Sequence, residues 1–288
     1  MSDRSPSLPS IAALPARRRA LAGGLALGVA TLLPRRARAA GGGRLVLTGS
    51  STIAPLALEI AHRFELVNPG TRVDVQSGGS SRGVADARSG AAAIGLVSRA
   101  LGPTETDLTA HTIALDGVGL IVHRSNPVAA LGADQVRAIY TGALRNWREL
   151  GGPDRPITVV NKAEGRSTLE LFLHFYGLKN GDIRAQAVIG ENEQGIKTVA
   201  GNPGAIGYVS IGSAEYDAHD GVPIRLLPID GIAATTAHVR DRSFPLSRPL
   251  NLVTRGTPDA LAARFIAYAR SADVDDLVQA LYFVPLAR

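Results

Sequence analysis

The chain has 288 residues, of which 45% are hydrophobic and 19% charged, a globular composition long enough for one large domain or two lobes. It contains no cysteine, which excludes disulfide scaffolds, cysteine-ligated metal centres, thiol catalysis and a lipid-anchored N-terminal cysteine. The formal charge of +6 comes from residues 1–39, with seven arginines and one acid; the remainder carries 24 basic and 24 acidic side chains. The charge therefore does not indicate nucleic-acid binding.

Residues 1–39 have the pattern of an export signal. Arg17-Arg18-Arg19 precede an apolar run over residues 20–33, which is shorter than the ~20 apolar residues that a transmembrane helix needs. Ala37-Arg38-Ala39 suits signal peptidase, so we expect cleavage after Ala39. The arginines fit either a twin-arginine or an ordinary Sec signal. The mature chain is expected to be exported, soluble and periplasmic.

Strands and helices alternate along the mature chain. Helical spacing predicts helices from Leu56 to Val67, from about Val84 to Ser89, after Ser167-Thr168 and over residues 258–270, with a helix–loop stretch from Asp134 to Leu150. Short β-rich runs predict strands over residues 45–48, 73–76, 93–97, 115–123, 157–160, 205–209 and 249–253. This alternation indicates βαβ units and a mostly parallel sheet.

Candidate binding residues cluster where strands lead into helices. Hydroxyl pairs stand there beside glycine at Ser51/Thr52, Ser80/Ser81 and Ser167/Thr168, with cationic side chains nearby at Arg82, Arg99, Lys162 and Arg166. A helix N-terminus presents unpaired N–H groups and a partial positive charge, so it suits an anion. A single such Ser or Thr is ordinarily a helix N-cap, but three turns of this kind indicate a tetrahedral oxyanion held between two lobes.

The same turns resemble those of the periplasmic phosphate-binding proteins, the type 2 solute receptors of phosphate ABC transporters. The resemblance covers nearly all of the mature chain. It rests on these blocks in order: residues 47–56 (LTGSSTIAPL), 78–83 (GGSSRG), 94–99 (IGLVSR), 113–117 (IALDG), 139–142 (IYTG) with Asn146-Trp147, 201–208 (GNPGAIGY) and 245–250 (PLSRPL).

The resemblance implies a two-lobed α/β fold, each lobe a mostly parallel sheet flanked by helices, joined by hinge strands. One lobe would combine residues 40–120 with 228–288, and the other would span residues 121–227. It also implies closure of the lobes over phosphate, delivery to an inner-membrane ABC permease, and a monomer with no cofactor, metal or catalytic residue. The ligand-binding residues would be Ser51, Thr52, Ser80, Ser81, Ser98, Arg99, Asp116, Lys162, Arg166, Ser167 and Thr168.

One binding block departs from the family pattern Arg-x-x-Gly-Ser-Gly-Thr. Here residues 162–168 read KAEGRST, so Lys162 replaces the arginine and loses its bidentate fork, and Arg166 stands where a ligand-binding serine is expected. Arg166 could take over the cationic role, with Glu164 pairing with Lys162. A site retuned to another anion, or one that binds weakly, is equally consistent with this block.

Selectivity against sulfate calls for an acceptor, because phosphate near neutral pH carries a proton and sulfate does not. Many family members place an aspartate where this chain has Arg99. Asp116 is therefore the candidate acceptor, although an aspartate before glycine is also typical of a turn.

Two other functions stay open. An exported sensory or interaction protein could keep the fold with an altered oxyanion site, or the ligand could be sulfate or molybdate. A hydrolase is disfavoured: residues 79–83 (GSSRG) fit the G-x-S-x-G pattern and His238 follows Asp220 and Asp230, but nothing around His238 looks like a catalytic loop.

Overall fold

A computed structural model describes residues 42–287 as alternating strands and helices. Within that range no helix is both long and apolar enough to cross a membrane. The strands are β1 (Arg44–Gly49), β2 (Arg72–Ser77), β3 (Ile94–Val97), β4 (Leu108–His123), β5 (Thr158–Lys162), β6 (Ala187–Ile189), β7 (Ala205–Ser210), β8 (Ile224–Leu227) and β9 (Ser247–Arg255). The helices are α1 (Ala54–Val67), α2 (Ser80–Ser89), α3 (Ala133–Tyr140), α4 (Ser167–Tyr176), α5 (Asn192–Ala200), α6 (Ile211–His219), α7 (Thr236–Arg240), α8 (Ala260–Ala269) and α9 (Asp275–Ala280).

Two sets of parallel strands are joined by two long antiparallel strands. The strand order is β2-β1-β3-β9-β4-β7-β5-β6, and β8 pairs with β4 beside this path. β1 is parallel to β2 and β3, and β5 is parallel to β6 and β7. The first half of β4 pairs with β9, whereas its second half pairs with β7 and β8. β4 thus connects a first lobe, built around β1–β3, to a second lobe, built around β5–β7.

Each lobe has its own apolar core. In the first lobe, Leu47 and Ile94 of the sheet pack with Phe64 of α1 and Phe265 of α8. In the second lobe, Phe172 of α4 stacks on Tyr208 of β7 with ring centroids 3.9 Å apart, and Tyr140 and Trp147 are buried in the same cluster. Aromatic pairs of this kind add to the free energy that burial already contributes. The two cores hold the parallel strands, and therefore the turns that follow them, in fixed positions.

The predicted strands and helices are confirmed with shifted ends, and several elements were not predicted. α2 begins at Ser80 instead of about Val84, and β4 begins at Leu108 instead of Leu115. β6, β8, α5, α6, α7 and α9 were missed; β6, β8, α7 and α9 are only three to six residues long, too short for a period to show. The lobe boundaries stay a prediction. Ile229, Val239 and Leu246 pack in the core of the second lobe, which favours a return of the chain to the first lobe near Ser247 instead of at residue 228.

Candidate functional site

Three helix N-termini meet at one place between the lobes. The residues before α1, α2 and α4 are Ile53, Gly79 and Arg166, and none of them caps its helix through a side-chain hydrogen bond. Ser80 and Ser167 are instead the first residues of their helices. The ordinary N-cap explanation for these hydroxyls therefore does not hold, and they are available for another partner.

A small cavity lies at this meeting point. Eight of the eleven predicted residues line it. The lining consists of Ser51, Thr52, Ser80, Ser98, Lys162, Arg166, Ser167 and Thr168, together with Ser50, Gly79 and Gly190. The turns before α1, α2 and α4 are far apart in the sequence, yet they line one cavity, which agrees with the prediction of a single site.

Arg248 organises the cavity from behind, although it was not among the predicted residues. Its side chain is fully buried, and its guanidinium donates to Thr168 Oγ1 at 3.0 Å, to Thr52 Oγ1 at 3.2 Å and to Ser98 Oγ at 3.4 Å. Each of these hydroxyl oxygens is thereby an acceptor for the guanidinium. Because a hydroxyl carries one hydrogen as well as two lone pairs, the hydrogens of these three groups are left to donate elsewhere.

Ser80 and Ser167 add two more hydroxyls. Ser80 Oγ accepts from the backbone N–H of Ser98 at 3.2 Å, so its own hydrogen is also left to donate. Ser167 Oγ is buried and has no hydrogen-bond partner among residues 42–287. A buried hydroxyl without a partner is costly, and an anion in the cavity would supply the acceptor that Ser167 lacks.

Two cations line the cavity itself. Lys162 is 2% exposed, and its Nζ donates to Asn192 Oδ1 at 2.9 Å. Burial, followed by the positive charge of Arg248, lowers the pKa of Lys162 to about 7. The guanidinium of Arg166 donates to Glu191 Oε1 at 3.1 Å. The expected pairing of Lys162 with Glu164 is absent, because Glu164 accepts from Asn180 instead.

Asp116 is buried but does not line the cavity. Its Oδ2 accepts two hydrogen bonds from Arg248, at 2.8 and 3.0 Å, and its Oδ1 accepts from the backbone N–H of Gly212 at 3.2 Å. The structure therefore places Asp116 as the partner of Arg248, with both oxygens engaged within the protein. Its predicted role as an acceptor for the ligand receives no geometric support.

Ser81 and Arg99 also lie outside the cavity lining, and both connect the lobes. Ser81 donates through its backbone N–H to Gly165 O at 3.2 Å and through its hydroxyl to Glu170 at 3.2 Å. Arg99 pairs with Glu105 and with Glu170, both at 2.7 Å. Gly79 stands at the same contact with a φ of +98°, and a Cβ there would lie 2.6 Å from Gly165 O, so the position requires glycine.

The hydrogen bonds of Ser81 and His238 do not form a catalytic arrangement. The hydroxyl of Ser81 bonds to Glu170, whereas the ring Nδ1 of His238 lies 2.8 Å from Ala233 O and 3.2 Å from Thr235 Oγ1. The G-x-S-x-G arrangement needs a histidine beside the serine, and the contacts of Ser81 and His238 lie in separate parts of the fold.

Two α/β lobes, joined by crossing strands and closed over a cavity of hydroxyls, helix N-termini and cations, define a two-lobed solute-binding protein. A family model described as a PBP superfamily domain matches residues 34–273. The chain is 31% identical over 237 residues to the phosphate-binding protein PstS of Bacillus subtilis, covering 81% of this chain and 77% of that protein. The chain belongs to the PBP superfamily and, within it, to the family of the PstS phosphate-binding proteins.

Solved structures agree with this assignment. The fold matches a candidate phosphate ABC transporter substrate-binding protein from Clostridium perfringens, solved with bound phosphate, with a TM-score of 0.77, 30% identity and coverage of 85% of this chain and 100% of that one. It also matches an ABC-type phosphate transport receptor from Vibrio cholerae, with a TM-score of 0.70, 27% identity and coverage of 84% and 100%. The expected family and the two-lobed fold are confirmed.

Proposed function

We propose that the chain captures inorganic phosphate in the cavity between its lobes and delivers it to the permease of an ABC transporter. The observation that carries the proposal is the hydroxyl set around the cavity. The oxygens of Thr52, Ser98 and Thr168 are occupied by Arg248, so their hydrogens are available to an anion. Donors that are held in place before the ligand arrives need no reorganisation when an oxyanion enters.

The family relationship supports both parts of this proposal, the capture of phosphate and its delivery to an ABC transporter. The relatives are phosphate-binding proteins by name, and the Clostridium perfringens structure contains phosphate. We propose a receptor and not an enzyme, because the groups around the cavity are donors suited to holding an anion and the Ser81 hydroxyl bonds to Glu170 instead of a histidine. A permease would bind the closed form, in which residues of both lobes surround the ligand.

The proposal includes export. The arginine-rich segment, its apolar run and the Ala37-Arg38-Ala39 triplet lie outside the described residues, so cleavage after Ala39 and a periplasmic location remain predictions from the sequence.

Calorimetric titration of the purified, anion-free protein with phosphate tests the proposal. Thr168→Val removes one hydroxyl donor while keeping the side-chain shape, and we expect it to weaken phosphate binding by about 1.5–3 kcal/mol, the range for a hydrogen bond to a charged group. Thr198→Val is the matched control, since the Thr198 hydroxyl bonds only to Gln194 O within α5. Equal loss in both variants would contradict the assignment of the cavity.

The same titration separates the other functions. Tight binding of sulfate or molybdate without phosphate would assign the site to another oxyanion. No binding of any of these anions would favour a sensory or interaction protein that keeps the fold with an altered loop at residues 162–168.

A further inference from the structure

Asn192 is a buried amide of the second lobe that reaches a cavity hydroxyl of the first lobe. It is the first residue of α5 and is 5% exposed. The helix packs in the second lobe through Ile196 and Val199. The side-chain Nδ2 of Asn192 donates to Thr52 Oγ1 at 3.2 Å, across to the turn before α1. Asn192 does not line the cavity itself, so it acts on the site from behind Thr52.

Helix α5 does not need this side chain for its own N-terminus. The Gln194 side-chain oxygen accepts from the backbone N–H groups of Gly190 and Glu191 at 2.9 and 3.1 Å, which fixes the turn before the helix. An asparagine at the start of a helix ordinarily accepts from a backbone N–H group of the first turn. Here the Asn192 oxygen accepts from Lys162 Nζ at 2.9 Å instead. Both ends of the amide are therefore used by cavity residues.

The orientation of the amide follows from its two neighbours. An ammonium group donates and has no lone pair, so the Asn192 oxygen must face Lys162. The NH₂ group then faces Thr52, and a second hydrogen of that group reaches Ser213 Oγ at 3.4 Å. Thr52 is thus held next to a donor that comes from the opposite lobe.

Thr52 Oγ1 accepts two hydrogen bonds, one from each lobe. Arg248 of β9 donates to it at 3.2 Å, and Asn192 of α5 donates at the same distance. A hydroxyl oxygen has two lone pairs, so both are filled and the hydrogen alone is left to interact. Thr168 Oγ1 accepts from Arg248 and keeps a second lone pair, so its hydroxyl can donate or accept. Thr52 can only donate, which is what an oxyanion oxygen requires.

We propose that Asn192 is a positioning residue that makes Thr52 an obligate donor to phosphate when the lobes close, an inference that rests on phosphate binding at this cavity. Asn192 does not touch the anion. Opening of the lobes withdraws α5 from the turn before α1, and Thr52 regains a free lone pair. The complete donor set therefore exists in the closed form, and Asn192 slows the release of phosphate without affecting its capture.

A double-mutant cycle on phosphate affinity tests the link between the two residues. Asn192→Ala should raise the phosphate dissociation constant about 10- to 100-fold in calorimetry, because Thr52 loses its orientation and Lys162 loses an acceptor. In the Thr52→Val background there is no hydroxyl to orient, so the effect of Asn192→Ala should be at least about threefold smaller. The part that remains measures the contact with Lys162.

Stopped-flow kinetics test the dependence on closure. Asn192→Ala should speed phosphate dissociation about tenfold or more and leave the association rate constant within about twofold of that of the unmodified protein. Thermal unfolding of the ligand-free variants, measured in parallel, separates this effect from a general loss of stability, which changes Tm without changing the coupling in phosphate affinity.

The matched control is a second asparagine–threonine pair. Asn202 Nδ2 donates to Thr158 Oγ1 at 3.1 Å within the second lobe, and neither residue lines the cavity. Asn202→Ala, alone or with Thr158→Val, should leave the affinity and both rate constants for phosphate unchanged.

Asn192→Asp takes the place of the alanine variant if the latter does not fold. It keeps the side-chain size and the acceptor for Lys162, but a carboxylate has no hydrogen to donate to Thr52. The Thr52 hydroxyl then donates to the new carboxylate, so the loss of affinity should again be smaller in the Thr52→Val background.

The outcomes are distinct. An unchanged affinity in Asn192→Ala, an equal loss with and without the Thr52 hydroxyl, or slower association with unchanged dissociation would each overturn the role of Asn192. Absence of phosphate binding by the unmodified protein would instead refute the proposed function itself.

Discussion

Asp116→Asn is expected to destabilise the ligand-free protein, because it leaves a buried cation without its counter-ion. Asp116 and Arg248 are both 0% exposed, and their closest atoms are 2.8 Å apart. Removing one partner of a buried ion pair costs about 3–5 kcal/mol, since the remaining charge has been taken out of water. We expect the lower end of this range. The asparagine oxygen can still accept one hydrogen bond, and Thr52, Ser98 and Thr168 still accept from Arg248.

Thermal unfolding measures this change. A loss of about 3 kcal/mol should lower Tm by roughly 6–12 °C in a protein of this size. Phosphate should raise Tm more in the variant than in the unmodified protein, because the bound anion supplies negative charge close to Arg248. The control is Asp154→Asn: Asp154 and its partner Arg148 are 69% and 65% exposed, and an exposed pair contributes little.

The reasoning would be refuted if Asp116→Asn unfolded within about 2 °C of the unmodified protein, which is less than 1 kcal/mol. A double variant adds a second check. Asp116→Leu with Arg248→Met removes both charges, so it should be more stable than either single variant, while phosphate binding is lost because the hydroxyls are no longer held.

Two further changes test the periphery of the site. Arg166→Ala should weaken phosphate binding by about 1–3 kcal/mol in calorimetry, the range for a charged hydrogen bond, and an unchanged affinity would remove Arg166 from the site. Glu170→Gln should speed phosphate dissociation in stopped-flow measurements, because Glu170 of the second lobe pairs with Arg99 of the first. Glu170 is 39% exposed, so the loss should be only about 0.5–1 kcal/mol; an unchanged rate would show that this pair does not hold the lobes together.

The predictable part of the site is the part that depends on local sequence. Hydroxyl pairs beside glycine after a strand mark a helix N-terminus wherever the helix packs, and Thr52, Ser80 and Ser167 were found in this way. The same reasoning fails for Ser81. α2 begins at Ser80, so the side chain of Ser81 is rotated by about 100° around the helix axis. It contacts the other lobe instead of the cavity.

Arg248 could not be assigned from sequence, because its role depends on strand register. It stands directly opposite Asp116 in the antiparallel pair of β4 and β9, although 132 residues separate the two in the chain. Side chains at opposed positions of such a pair lie about 5 Å apart, which places the carboxylate within reach of the guanidinium. Nothing in residues 245–250 indicates which residue of β4 they will face, and a shift of one position would turn Arg248 to the other side of the sheet.

The pairing of these residues also explains how a cationic cavity can close without its anion. Three unpaired cations in one buried site would repel each other and lose their hydration, at a cost of several kcal/mol per ion. Arg248 is neutralised by Asp116 and Arg166 by Glu191. Lys162 has no such partner among residues 42–287, and its lowered pKa of about 7 lets it give up its charge instead. The empty site thus carries little net charge, and each unit of negative charge that enters must be balanced by hydroxyl hydrogens, helix N-termini or a proton on Lys162. The protonation of Lys162 depends on pH, so anion binding is expected to be linked to proton uptake at this side chain.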